Sequence, residues 1–253
     1  MNQTLQKASF SKRIAAWMFD SILTAILAVG LGLVLSVLLG YDQHSNALNA
    51  AYEKYETQYG VNFEITAQEY EAMTQAEKDN YDAAYEALIA DKEAMYAYNM
   101  AVNLILLIVT LSILFAVLIW DLAVPLLLKN GQTLGKKIFS LCLVRNDGVK
   151  INTLQLVTRT LLGKFTVETM LPVLVLLMLL LGMMGTLGLG ILMALLLAQI
   201  ICLVFSKNNS AIHDYMTGTV VVDIHSQTIF NSTEELIAYQ KRVAAERAAR
   251  QTY

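Results

Sequence analysis

The stretch Thr166–Phe205 reads TVETMLPVLVLLMLLLGMMGTLGLGILMALLLAQIICLVF, 40 residues with a single charged side chain, Glu168. A helix needs about 20 apolar residues to cross a bilayer core of about 30 Å, so this run is too long for one tilted span and sufficient for two. Gly182, Gly185, Gly188 and Gly190 near its middle permit a tight reversal. The reading is a helical hairpin, roughly 166–183 and 187–205. Two more runs, Ile14–Leu39 and Tyr98–Leu128, are each long enough for one span. All are apolar on every side, unlike the two-faced helices of a soluble core. The composition agrees: 56% hydrophobic and only 15% charged lies outside the ordinary soluble range. Ile14–Leu39 also exceeds the apolar core of a signal peptide, about 7–15 residues, so the first segment is expected to remain as a span.

Basic residues near span ends set the expected orientation. Lys7, Lys12 and Arg13 precede the first span, and Lys129, Lys136, Lys137, Arg145, Lys150, Arg159 and Lys164 follow the second. The intervening stretch 41–97 holds three lysines against twelve acidic residues, a net charge of −9. These counts place the N-terminus and 129–165 in the cytoplasm and the acidic stretch outside. The hairpin then returns a tail carrying Lys207, Lys241, Arg242, Arg247 and Arg250 to the inside, which favours an even number of spans.

The acidic stretch is too long for an idle connection. Thr66 with Glu69 and Thr74 with Glu77 each fit a capping box, in which a hydroxyl and a carboxylate satisfy the first free N–H groups of a helix. Tyr81, Tyr85 and Leu88 share one helical face, as do Tyr52, Tyr55 and Tyr59. A small helical cap is expected. Nine of the twelve tyrosines lie between Tyr41 and Tyr98. Their rings either pack helices together near the headgroups or form an aromatic, acidic surface for a ligand or partner.

On the inner side, Asn130-Gly-Gln-Thr-Leu-Gly-Lys-Lys137 is basic and punctuated by glycine, Ile138–Val144 reads as a short strand, and Asn146-Asp-Gly148 as a turn. Thr219–Val222 is a second strand-like run. Since a lone strand pair is marginal in water, the two are expected to pair against the helix ends or the membrane face. From Ser232 a further capping box opens a charged, alanine-rich helix, either solvated or lying on the membrane surface.

The fold class is therefore an all-α polytopic membrane protein with four transmembrane helices, a helical extracytoplasmic insertion and a short cytoplasmic two-stranded β element. Its parts are 1–40 with the first span, the insertion 41–97, the second span 98–128, the basic loop 129–165, the hairpin 166–205 and the tail 206–253. A cell-membrane location with both termini cytoplasmic follows.

Motifs for chemistry are sparse. The 131–137 segment lacks the spacing of a phosphate-binding loop. Cys142 and Cys202 show no metal or disulfide spacing, and His44, His213 and His225 are scattered. Neither an enzyme, a cofactor, a metal nor a nucleic-acid partner is expected. The informative residues are ionisable groups in or beside the bilayer. Asp20 follows Arg13 by two helical turns, ~10 Å along the same face. Asp121 lies near the end of the second apolar run and Glu168 near the start of the third. A carboxylate facing lipid costs several kcal/mol, so these acids should face the interior, pair with a base or be protonated. Arg13, Arg159 and Lys164 are at a suitable depth, and Lys164, one turn from Glu168, suggests a static pair there. Such groups form either structural clamps or an ion or proton relay.

The segments Ser11–Asp20, Asn130–Gly148 and Ala211–Val222 together resemble the RDD family. The resemblance covers about 1–40 and 99–223, and leaves the acidic insertion and the charged tail outside it. The one Arg and two Asp for which the family is named fall on Arg13, Asp20 and Asp214. Where a basic residue often precedes the family's His-Asp pair, this chain has Asn208-Asn209-Ser210. The resemblance implies a bacterial membrane protein with a role in transport, sodium–proton exchange having been proposed for some members. Arg13, Asp20 and Asp214 would then meet at the inner membrane face, where an Arg beside two carboxylates switches partner as one of them takes a cation or proton.

Two other classes compete. One is a non-transporting scaffold or assembly factor that recruits membrane protein partners. The other binds anionic lipid headgroups through Lys129, Lys136 and Lys137, at about 1 kcal/mol per basic residue. Four spans make a narrow bundle, so transport calls for a homo-oligomer.

Overall fold

A computed structural model describes residues 8–128, 131–205 and 211–251. Among the described residues, four helices are long and apolar enough to cross a membrane: α1 Phe10–Leu38, a later helix Lys92–Leu127, and two more at Thr153–Leu180 and Gly185–Cys202. At most about a fifth of each apolar window is buried within the protein. Leu33, Val37, Leu180, Leu187 and Phe205 all stand more than half exposed. Apolar surface left open on this scale needs lipid to cover it.

The chain forms two compact units, one built from the chain up to Ala28 together with everything from Ile113 onward, the other from Val29–Ser112. The second unit carries the acidic insertion. After α1, Gly40 turns the chain into α2 (Tyr41–Tyr59), followed by α3 (Ala67–Ala72) and α4 (Gln75–Ala90). Both capping boxes form: the Thr66 hydroxyl accepts from Glu69 N–H and the Thr74 hydroxyl from Glu77 N–H, with each Glu reaching back to the cap. The tyrosines pack helices together. Tyr55 and Leu88 are buried with Ala94, and Phe63 stacks edge-on against Tyr52, Tyr81 and Tyr85 at 5.6–6.4 Å. Tyr55 Oη donates to Asp91 at 3.0 Å, ahead of helix α5 (Lys92–Leu127).

In the first unit, α6 (Leu134–Ile138) precedes β1 (Leu141–Arg145), and the long helix α7 (Thr153–Leu180) is followed by α8 (Gly185–Phe205). The reversal between α7 and α8 falls where the glycines stand, with Gly182 at φ 70°. Next come α9 (Ile212–Thr217), β2 (Thr219–Asp223) and the tail helix α10 (Thr233–Gln251). The strands pair antiparallel, Leu141 opposite Asp223 and Leu143 opposite Val221. One face of the pair, Leu141, Leu143 and Val221, packs on Ala16 of α1 and Leu156 of α7, so helix residues supply the support a lone pair lacks. The other face, Cys142, Val144, Val220 and Val222, is covered by Ile224 and Ile229. Phe230, Val149, Leu236 and Tyr239 anchor the start of α10, whose remaining turns are largely exposed.

Two boundaries differ from expectation. The strand does not include Ile138, which ends the short helix α6. Ser140, at φ 56°, then redirects the chain into β1. Helix α7 begins at Thr153, inside the stretch read as a loop, because Asn152 caps it and Gln155 completes the box. Its first turns carry Arg159 and Lys164, which the apolar count passed over.

Candidate functional site

Two parts of the long helices are π-helical: Leu118–Ala123 in α5 and Arg159–Met170 in α7. The wider π turn shifts side-chain directions and is common at functional sites. Asp121 lies on the first segment, and Arg159, Thr160, Lys164 and Glu168 lie on the second.

Around them the first unit gathers charges into four linked contacts. Arg159 Nε donates to Asp214 Oδ1 at 2.8 Å, the two side chains 5% and 2% exposed. Thr219 Oγ1 adds a bond to the same oxygen at 3.1 Å. The Lys164 ammonium donates to Asp121 Oδ1. Glu168 accepts the backbone N–H of His213 at 2.9 Å and meets its Nδ1 through the other oxygen. Asp20, 3% exposed, is held by the start of α6: Gly135 N–H donates to Oδ1 at 2.8 Å and the hydroxyl of the capping Thr133 to Oδ2.

Glycine makes two of these approaches possible. A Cβ on Gly135 would lie 2.5 Å from the Ala16 carbonyl and 2.9 Å from the Asp20 carboxylate. A Cβ on Gly163 would lie 2.5 Å from His213 Cβ. Each position therefore admits no side chain without moving one element off another.

Lys136 connects the contacts. Its ammonium reaches the Thr133 hydroxyl at 3.4 Å, and its charge is felt by Asp20, Asp121 and Asp214. Burial, reinforced by the nearby charges of Arg159 and Lys164, pushes its amine down to about 8. Burial alone would raise the Asp214 carboxyl, but the charge of Arg159, with His213, the Arg159 hydrogen bond and Lys136, holds it well below the usual carboxylate range. Arg13 is half-buried, and its charge acts on Asp214 and Arg159.

The expected grouping of Arg13, Asp20 and Asp214 thus resolves into parts. Asp214 is bonded to Arg159, with Arg13 in electrostatic range, whereas the hydrogen bonds to Asp20 come from Thr133 and Gly135. Lys164 does not pair with Glu168 but crosses to Asp121, and Glu168 takes His213. Of the three lysines read as headgroup ligands, Lys136 belongs to the cluster, Lys137 is exposed and Lys129 lies outside the described residues. Sequence reasoning missed Thr133, Gly135, Gly163 and Thr160. The signal for the first two was present: a capping Thr two residues before a Gly, ahead of a basic pair.

Four membrane-crossing helices with a strand pair beside a buried charge cluster define a polytopic helical membrane protein. The chain belongs to the RDD family, whose profile matches residues 7–218. No curated protein and no solved structure matches it. The insertion lies within the matched residues, and the whole tail helix lies beyond them.

Proposed function

We propose that this RDD protein exchanges protons for monovalent cations across a bacterial cell membrane, through the buried charge cluster and as a homo-oligomer. The supporting observation is the setting of Lys136, whose amine burial pushes down to about 8 and whose charge interacts with groups on four helices. These are Asp20 of α1, Asp121 of α5, Arg159 and Lys164 of α7, and Asp214 of α9. A proton gained or lost at Lys136 changes the field on three carboxylates together. The distribution of basic residues supports cytoplasmic termini and an external acidic cap. Oligomerisation supplies the enclosure that four spans do not.

The test is proton flux into proteoliposomes loaded with a pH-sensitive dye, started by a sodium chloride pulse. Sodium-dependent flux is expected for the wild type, and at least a ten-fold loss for Lys136→Met and Asp20→Asn. A wild-type protein that is folded and oligomeric yet silent rules exchange out.

A second reading has its own observation. Both oxygens of Asp20 are satisfied, and Asp214 is sealed against Arg159, as in a static clamp. On that reading the protein is a scaffold or assembly factor, and Asp20→Asn lowers stability without any flux to lose. The anionic-lipid reading retains Lys137, the exposed one of the two described lysines among the three.

A further inference from the structure

Asp121 is 2% exposed, yet only half of its carboxylate is satisfied among the described residues. Oδ1 takes the Lys164 ammonium, while Oδ2 is buried with no hydrogen-bond partner. Asp20 and Glu168, in the same unit, have both oxygens satisfied. A bare carboxylate oxygen away from water is expensive, and the usual remedy is a cation or a proton.

The surroundings favour a cation. Thr160, fully buried, donates its hydroxyl to the Asp121 backbone carbonyl at 3.2 Å, which ties the second π segment to the first at the residue that carries the bare oxygen. The carboxylate and the neighbouring hydroxyl are hard oxygen donors, and a single carboxylate balances a single positive charge. Among the described residues no group of three His, Cys, Asp or Glu is assembled that would hold a multivalent metal. The Lys164 ammonium, a compact monovalent charge, already occupies one side of the carboxylate.

We propose that Asp121, Thr160 and Lys164 form a binding site for a small monovalent cation of the sodium type, the ion and the Lys164 ammonium alternating on the Asp121 carboxylate. The inference rests on the exchange reading, for which it names the cation site.

Trp17 and Trp120 are the two tryptophans, and Trp120 adjoins Asp121 on the same π segment. The test is a sodium chloride titration of full-length Trp17→Phe protein in detergent, following Trp120 emission, with choline chloride holding ionic strength constant. A saturable, sodium-specific change is expected. Asp121→Asn abolishes it, Thr160→Val weakens binding at least five-fold, and Lys164→Gln, lacking the competitor, tightens it at least ten-fold. No saturable change, or a midpoint unmoved by Asp121→Asn, overturns the site. Should Asp121→Asn not fold, an unmoved midpoint in Lys164→Gln does the same. Binding without flux in proteoliposomes defeats the exchange reading and leaves the site standing. Sodium-driven flux that survives in Asp121→Asn defeats the site and leaves exchange standing.

Discussion

Arg159 and Asp214 form a nearly solvent-free ion pair, Nε to Oδ1 at 2.8 Å, although the whole apolar hairpin separates them in sequence. Removing one member strands the other's charge, which costs about 3–5 kcal/mol, whereas replacing both with apolar residues does not. Arg159→Leu is therefore expected to destabilise strongly in a detergent melt, and Arg159→Leu with Asp214→Leu to recover most of the loss. A double variant as unstable as the two single losses combined would show that the residues act independently.

The same pair sets an acid limit. Asp214 is held below its ordinary value, so its contribution is present above about pH 4 and is lost as pH falls from there toward the depressed folded value. The melting temperature of the wild type should fall over that range, and the fall should be shallower in Asp214→Asn. Equal slopes in the two proteins would remove Asp214 as the cause.

Lys136 gives a slope of the same sign, but here the charged form is the one that opposes folding. Between about 8 and the ordinary lysine value near 10.5, the unfolded chain holds a proton that the folded one has released, so stability rises with pH across that window. Below it, the charged amine opposes folding. Lys136→Met should flatten the rise. Chemical denaturation at pH 7.5, 9 and 10 measures it.

Gly135→Ala and Gly163→Ala should each cost about 1–3 kcal/mol by forcing packed elements apart. Gly190→Ala, in open space on α8, should be neutral or slightly stabilising. Melting temperatures of the three variants give the comparison, and equal shifts would exclude close approach as the reason for glycine at 135 and 163.

In the insertion, Phe63→Ala removes the ring shared by Tyr52, Tyr81 and Tyr85 and should cost about 2 kcal/mol. Limited proteolysis should then cut between α2 and α4 faster than in the wild type, leaving the strand pair protected.

The long apolar runs were legible because a bilayer imposes length and uniformity, and the capping boxes because they are local in sequence. The strand pair was legible too, since Thr219–Val222 has few other uses. Charge partners were not. Helical spacing suggested Lys164 with Glu168, but π turns re-aim both side chains, and no spacing rule indicates that Lys164 crosses to another helix. Phe63 hid in the same way, lying between helices and belonging to the face of neither. Lys136 read as a surface lysine because its neighbours Lys137 and Lys129 made a basic run, while the capping Thr133 turns it inward.

The pairing of β1 with β2 has a consequence for biogenesis. Because Thr219–Asp223 is made after both arms of the hairpin, the strand pair cannot close until the last membrane helix has left the ribosome. Until then Arg159 has no Asp214, and Glu168 has no His213. A nascent chain stalled before that point exposes unpaired charge beside the bilayer and an uncovered strand edge. The strand pair thus closes only after the helical hairpin has been made, and it joins segments from either side of that hairpin.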